Sequence, residues 1–430
     1  MTTTALGLAA LFVLFALGVP LGYSMALVGF AGFALLVSLD AAIYTAGQVV
    51  FDNVMSFDLS VLPLFILMGS FIARSGLAED LFGAAEAFLG HRRGGLAMST
   101  VVACGGFSCV CGSSMATVAT MAKVALPSMQ KRGYADSLAS ASIVSGGTLG
   151  ILIPPSTTLV IYGIITETNI GKLFMAAVIP GLLAIVLLML AVFVTVMIYP
   201  ESGPRSERRG WKERLYYVRR TGAVVALFAG MMGGIYFGVF TVTEAAGIGA
   251  AVSFLFVILR GGMSLRLVID ALADAARTTA MIFVILFGAL IFANFVEVSG
   301  LPAELNAWVA ETNLAPLALI FMITAIYIVM GMVLEILSMM LLTVPLFLPM
   351  VLAIGYDPVW FGIFVVVVCE VGLITPPVGL NLFVFRATAG DISVATISRG
   401  LIPFIAALIA MILIIIFAPQ VVTFLPGMMG

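Results

Sequence analysis

The sequence predicts an all-α, polytopic membrane protein built from two inverted repeats. Three observations predict it: an apolar composition, long uninterrupted apolar runs, and a set of glycines, prolines and tyrosines that occurs twice. Hydrophobic residues are 63% of the 430 and charged residues 9%, with a mean hydropathy of +1.24, whereas soluble domains are about half apolar and a quarter charged. The bilayer is the solvent for such a chain. Lipid offers no hydrogen-bond partners, so the backbone crosses it as helices or as a closed barrel. Runs such as Leu182 to Tyr199 and Leu401 to Pro419 are continuously apolar, near the roughly 20 residues a spanning helix needs, and lack the alternation of barrel strands.

Taken in order, spans are expected near 5 to 38 (two, broken at Pro20 and Gly22), 59 to 73, 172 to 199, 221 to 240, 243 to 259, 277 to 297, 314 to 330, 357 to 370 and 396 to 418. Upstream of the first apolar stretch there is no basic region, and no small-residue cleavage site follows it, so Ala5 to Val19 reads as a retained first span. Between the spans lie two apolar regions rich in glycine, serine and proline, 94 to 165 and 331 to 392. Short pieces near 76 to 90, 211 to 219, 265 to 275 and 301 to 310 place charges on one face and Leu, Phe or Trp on the other, the pattern of interfacial helices. No stretch outside the membrane is long enough for a second soluble domain.

The repeat is read from one offset. Pro127, Gly133, Tyr134, Gly150, Pro154 and Pro155 recur as Pro349, Gly355, Tyr356, Gly372, Pro376 and Pro377, each displaced by 222 positions. Upstream, Ser75-Gly76-Leu77 recurs as Ser299-Gly300-Leu301 at an offset of 224. The halves are taken as 1–220 and 221–430. Charge orients them, because cytoplasmic loops are enriched in Lys and Arg. The first copy carries Arg74, Arg92, Arg93, Lys123, Lys131 and Arg132, whereas no Lys or Arg occurs between Arg277 and Arg386. Equivalent turns therefore face opposite sides of the membrane, the inverted-repeat design of secondary transporters. The connector Arg205 to Arg220 holds seven basic residues and is expected in the cytoplasm, with Arg260 and Arg266 returning to the same side.

Gly/Pro-interrupted segments at matching places point to a midplane binding site, since a broken helix frees carbonyls for cations and amides for anions. The first is Gly146 to Ser156, containing Gly147, Thr148, Pro154 and Pro155; the second is Glu370 to Gly379, containing Gly372, Thr375, Pro376 and Pro377. Proline removes a donor and clashes with the preceding turn, so a pair of them interrupts a helix. Ahead of the first break, Cys111 to Thr117 includes Ser113 and Ser114 and suits the tip of a re-entrant hairpin; its counterpart, Gly331 to Ser338, includes Glu335. Glu335, Glu370 and Lys123 are charges within apolar stretches, where charge is costly and usually functional. Arg386, after the second break, is a candidate partner for a substrate carboxylate, with interfacial snorkelling as the alternative. Glu244 stands at the start of a span as a helix cap.

Other function classes lack their residues. A net charge of -2 and the single histidine, His91, give no basic field for nucleic acid and little imidazole chemistry. Cys104, Cys109, Cys111 and Cys369 lie in apolar stretches and read as packing residues. No G-x-x-x-x-G-K-[ST], H-E-x-x-H or G-x-S-x-G string occurs, so no enzyme is expected. A channel predicts a continuous polar pore stripe, which the sequence does not show.

The strings GSSMATVATMAKVALPSMQKRGY, GGTLGILIPPSTTLVIYG, TVTEAAG and ITPPVGLNLF resemble the large (M) subunit of tripartite ATP-independent periplasmic (TRAP) transporters, over essentially the whole chain. The resemblance implies an elevator-type fold in the bacterial inner membrane, with two helical hairpins and two broken helices. It implies two partners, a small four-helix membrane subunit (Q) and a periplasmic substrate-binding protein, and sodium-coupled uptake of a C4-dicarboxylate, keto acid or sugar acid. One sodium (Na+) site falls on Ser113, Ser114, Gly146, Gly147 and Thr148, and a second on Glu335 to Ser338 with Gly372, Thr375 and Gly379. Substrate falls near Ser156 and Asn381. The length matches an M subunit unfused to Q. The competing expectation is a stand-alone sodium/anion symporter or antiporter of the same design.

Overall fold

The computed structural model describes residues 2–260, 264–312 and 314–429, and all regular structure among them is helical. The first half begins with α1 (Thr2–Ala16), α2 (Leu21–Leu36), α3 (Leu39–Met55), α4 (Val61–Ala73) and α5 (Leu77–Leu89). It continues with α6 (Gly95–Cys111), α7 (Ser114–Lys131), α8 (Asp136–Leu152), α9 (Thr157–Ile165) and α10 (Ile170–Ile198). The second half holds α11 (Trp211–Tyr236), α12 (Val242–Leu259), α13 (Leu265–Val298), α14 (Leu301–Thr312) and α15 (Pro316–Gly331). It closes with α16 (Ile336–Ala353), α17 (Pro358–Ile374), α18 (Leu380–Ala389), α19 (Val394–Phe417) and the single turn α20 (Gln420–Thr423). Among the described residues, seven stretches are long and apolar enough to cross a membrane.

The duplication is visible element by element. α8 and α17 start at 136 and 358 and end at 152 and 374, and α7 and α16 start at 114 and 336, all 222 apart. Packing crosses between the halves: α2 lies along α13, and its counterpart α12 lies along α4. Glycine sets the first of these contacts. A Cβ on Gly22 would sit 2.8 Å from Ile285 Cα, and one on Gly29 would sit 2.6 Å from Phe292 Cα. In lipid, where apolar surface gives no net drive between helices, such close backbone approach is what binds them.

Several expected boundaries shift. Pro20 separates α1 from α2 as expected, but Gly22 lies inside α2, where it serves packing. The pieces 211 to 219 and 265 to 275 are the first turns of α11 and α13, continuous with the spans that follow. α5 packs one face into the protein. It buries Leu77, Phe82, Asp80 and Glu86, and its acids meet arginines: Glu86 pairs with Arg132 and, at 2.8 Å, with Arg209, while Asp80 pairs with Arg220 at 3.0 Å and Arg260 at 2.5 Å. Arg260 also donates to the carbonyls of Ser75 and Arg220, each at 3.1 Å. The connector and Arg260 therefore share one face, which the excess of basic residues assigns to the cytoplasm. α3 is an element the hydropathy pattern did not single out: Ser38 caps it, and it is bent 60° against the helix that follows.

Candidate functional site

Two helical hairpins, α6–α7 and α15–α16, turn on short tips, Gly112-Ser113 in the first and Met332 to Glu335 in the second. At the first tip Gly112 adopts φ +60°, the left-handed region that glycine enters without a Cβ clash. Ser113 then caps α7, its Oγ accepting from Ala116 N at 3.4 Å. At the second tip Glu335, 222 positions on, caps α16: Oε1 accepts from Ser338 N and from Ser338 Oγ, both at 3.2 Å. The deep acid expected at 335 is thus the counterpart of Ser113 as a helix cap.

Each hairpin faces a broken helix. In the first half the interruption is 153 to 156, not the stretch around Gly146, Gly147 and Thr148, through which α8 runs unbroken to Leu152. The reason is chemical: glycine keeps its N–H and costs only propensity, whereas proline deletes the donor itself. Pro154 leaves Gly150 O without its helical donor, and Pro155 does the same to Ile151 O, which accepts instead from Ser156 Oγ at 2.5 Å. Gly146 and Gly147 pack on neighbouring helices, where Cβ atoms would meet Cys104 Sγ at 2.8 Å and Val118 Cγ2 at 2.1 Å. Thr148 Oγ1 is buried and donates to Ser145 O at 2.8 Å. In the second half the interruption is 375 to 379, and Thr375 Oγ1 donates to Val371 O at 2.5 Å. The Pro154-Pro155 and Pro376-Pro377 bonds are both cis.

Tip and break touch in both halves, from matching positions on the break but from different positions on the hairpin. A Cβ on Gly150 would sit 2.7 Å from Ser113 C and O, and one on its counterpart Gly372 would sit 2.7 Å from Gly331 Cα. Position 157 and its counterpart 379 then tie the break to the tip. Thr157 Oγ1 donates to Gly112 O at 3.2 Å, and Gly379 N donates to Met332 O at 3.2 Å.

The two tips converge on one cavity of about 280 Å³, walled also by α4 and α13. Ser113, Ser114, Glu335, Asn381 and Thr158 line it, with Arg74 among them. Ser114 and Asn381 exchange hydrogen bonds of 3.1 and 2.8 Å, joining the first hairpin to the second broken helix. Ser338 is buried behind the second tip. Ser156 caps α9 with its hydroxyl committed to backbone and does not line the cavity. Arg386 is exposed in the last turn of α18, outside the cavity. Lys123 is exposed on α7, and Glu370, fully buried in α17, has no partner on either carboxyl oxygen among the described residues. The wall from α4 and α13 is not legible in the sequence: Arg74 reads there only as a topogenic charge, and Thr278 of α13, which also lines the cavity, carries no signal.

Known proteins agree with this architecture. Residues 8–421 match the family model "Tripartite ATP-independent periplasmic transporter, DctM component". The chain is 36% identical to the C4-dicarboxylate TRAP transporter large permease protein DctM of Pseudomonas aeruginosa, over 88% of each chain. It is 31% identical to the sialic acid TRAP transporter large permease protein SiaM of Vibrio cholerae, over 95% of each. Among solved structures, the YdaH transporter of Alcanivorax borkumensis superposes with a TM-score of 0.64 at 17% identity, over 90% of this chain and 91% of that one, which shows a shared fold. The chain belongs to the DctM component family of tripartite ATP-independent periplasmic transporters and is a multi-pass protein of the inner membrane.

Proposed function

We propose that the chain is the large membrane subunit of a sodium-coupled importer of an organic anion, working with a small four-helix membrane subunit and a periplasmic binding protein. The observation that carries the reading is the convergence of two hairpin tips and two broken-helix ends on one cavity, with a hydrogen bond from the matching break positions 157 and 379 to the tip of each half. Sodium takes several hard oxygen ligands; the first tip offers hydroxyls and backbone carbonyls, and the second offers backbone carbonyls and the Glu335 carboxylate. The first site is Ser113 and Ser114 with the carbonyl end of α8 around Gly150, since Gly146, Gly147 and Thr148 lie within the unbroken part of α8. The second is the 332 to 335 tip with Gly372 and Thr375. The anion rests between them against Ser114 and Asn381. The related proteins' named substrates are C4-dicarboxylate, sialic acid, ectoine and isethionate, so the class proposed here is a small organic acid. The isethionate relative of Oleidesulfovibrio alaskensis is named DctMQ, and this chain spans 66% of it, which supports a separate or fused small subunit as partner.

The hairpins and broken helices move as one unit against α2, α4, α12 and α13, in elevator fashion. Each charge crossing about 100 mV exchanges roughly 2.3 kcal/mol with the membrane potential, so a dianion needs three sodium ions before the potential helps its entry. The test is reconstitution of the chain with its small subunit in proteoliposomes, reading uptake of a labelled acid panel with and without a sodium gradient and the binding protein. Uptake that needs both supports the reading. Uptake with sodium alone favours the stand-alone symporter, and equilibration without a gradient refutes coupling.

A further inference from the structure

Arg74 ends α4 and faces two ways. Its Nη1 donates to Ser70 O at 3.3 Å, and its Nη2 forms an ion pair with Asp274 of α13. The same residue lines the central cavity with Ser113, Ser114 and Asn381, and it is the basic residue of that lining among the described residues. The other charged lining residue, Glu335, is committed to capping α16. The side chains of Arg74 and Asp274 are 30% and 54% exposed, so the pair lies at the protein surface beside the cavity that Arg74 lines and not in the packed core.

A helix-end strut alone does not account for Arg74. The repeat aligns Ser75-Gly76-Leu77 with Ser299-Gly300-Leu301, which puts Val298 in the place of Arg74. The second half ends its equivalent helix with an exposed acid, Glu297, and no basic residue. The basic residue exists on one face only, the face where Arg260 donates to Ser75 O at 3.1 Å and where the basic connector lies. That face is cytoplasmic by its excess of arginine.

We infer that Arg74 is an exit subsite for the anionic group of the substrate, a carboxylate or sulfonate, on the scaffold wall at the cytoplasmic mouth. The inference rests on the transport reading above and adds a residue on the stationary wall. A guanidinium offers parallel N–H donors that match a two-oxygen anion. The anion leaves Ser114 and Asn381, takes the place of the Asp274 carboxylate on Arg74, and is released when Asp274 pairs again. Asp274 is thus the competitor that keeps the subsite from trapping cargo.

The experiment uses the chain with its small subunit and binding protein in proteoliposomes, with labelled C4-dicarboxylate, sialic acid, isethionate and ectoine as probes in turn. The readouts are uptake and its half-inhibition by the same acid placed on the cytoplasmic side. Arg74→Gln is expected to weaken that inhibition about tenfold, the loss of one charge-assisted contact, while leaving the half-saturating sodium concentration unchanged. Asp274→Asn is expected to strengthen it and to slow turnover. Arg74→Lys, which keeps the charge and the pair but not the fork, is expected to fall between. The exchanged pair R74D/D274R re-forms an ion pair without an anion site in the original place. If it restores wild-type uptake and inhibition, the pair is a strut and the inference is overturned. Wild-type inhibition in Arg74→Gln overturns it equally. Acid-for-acid counterflow needs no sodium gradient and reads the same subsite, so absence of sodium dependence in the wild type refutes the coupling reading alone.

Discussion

Replacing Gly150 or Gly372 with alanine tests whether the tips need direct backbone contact with the broken helices. At Gly150 the new Cβ lies 2.7 Å from Ser113 C and O and 2.8 Å from Ser114 N, and at Gly372 it lies 2.7 and 2.9 Å from Gly331 Cα and C. These are backbone atoms, with no rotamer to swing away. Reaching the 3.4 Å at which ordinary contact begins requires the tip to withdraw by about 0.7 Å from 2.7 Å, whereas cation–ligand distances hold to about 0.2 Å. Overpacking of this kind costs about 1–3 kcal/mol, or roughly five- to 150-fold in an equilibrium. The helices themselves are not the casualty, since alanine favours a helix over glycine by about 0.5–1 kcal/mol. Each variant is therefore expected to fold and to show at least a fivefold rise in half-saturating sodium, or no uptake. The assay is a sodium titration of acid uptake in proteoliposomes, paired with the sodium-induced rise in unfolding temperature. Gly47→Ala is the control, because nothing lies within 4 Å of its Cβ. Wild-type sodium dependence in both Gly150→Ala and Gly372→Ala would refute the reasoning.

Three further outcomes are expected. Ser114→Ala removes the partner of the buried Asn381 amide and should cost about 1–3 kcal/mol, read as a lower unfolding temperature in purified protein; no change would mean that Asn381 finds another partner. Glu370→Gln loses no hydrogen bond, since neither oxygen has a partner among the described residues, so stability should hold or rise by about 1 kcal/mol with uptake intact. Abolished uptake would instead assign the carboxyl a ligand. Asp80→Asn strips both Arg220 and Arg260 of their acid and should cost more than the 0–1 kcal/mol, approximately, of an exposed pair and less than the 3–5 kcal/mol of a buried one. Arg220→Gln, whose side chain is 44% exposed, should stay near the lower figure. Chemical denaturation in detergent measures both.

What the sequence made legible was whatever covalent chemistry decides. Paired prolines delete donors in any context, so the breaks at 153 to 156 and 375 to 379 and the hairpins ahead of them could be read from residue type and offset alone. Glycine is different, because the same residue serves a break, a turn or a close helix contact. Only packing revealed that Gly146 and Gly147 accommodate Cys104 and Val118 within a regular helix, and that Gly22 meets Ile285. Amphipathicity likewise cannot name what covers a polar face: the acids of α5 meet arginines from the connector and α12, 123 to 180 positions away in sequence. The cavity lining from α4 and α13 stayed hidden for the same reason, since nothing local marks Arg74 or Thr278 as neighbours of a hairpin tip 39 and 164 residues distant from Ser113 and Ser114, respectively.

The pattern of bonds around the cavity also bears on what moves. Within each half a tip is tied to its broken helix, by Thr157 to Gly112 and by Gly379 to Met332, and Ser114 and Asn381 tie the halves to each other. Among the described residues no hydrogen bond or ion pair joins these pieces to α4 or α13; the contact there is made by side chains such as Ile66 and Met281 and by Gly69, whose Cβ would approach Val110 O at 3.1 Å. Four pieces held together by directional bonds, against a wall that offers mainly non-directional apolar contact, shift as a body more readily than they separate. Apolar contact is non-directional, whereas each buried hydrogen bond left unmade costs about 1–3 kcal/mol. A seam between the hairpin unit and the wall is what the proposed elevator motion requires, and in that proposal Arg74 belongs to the wall.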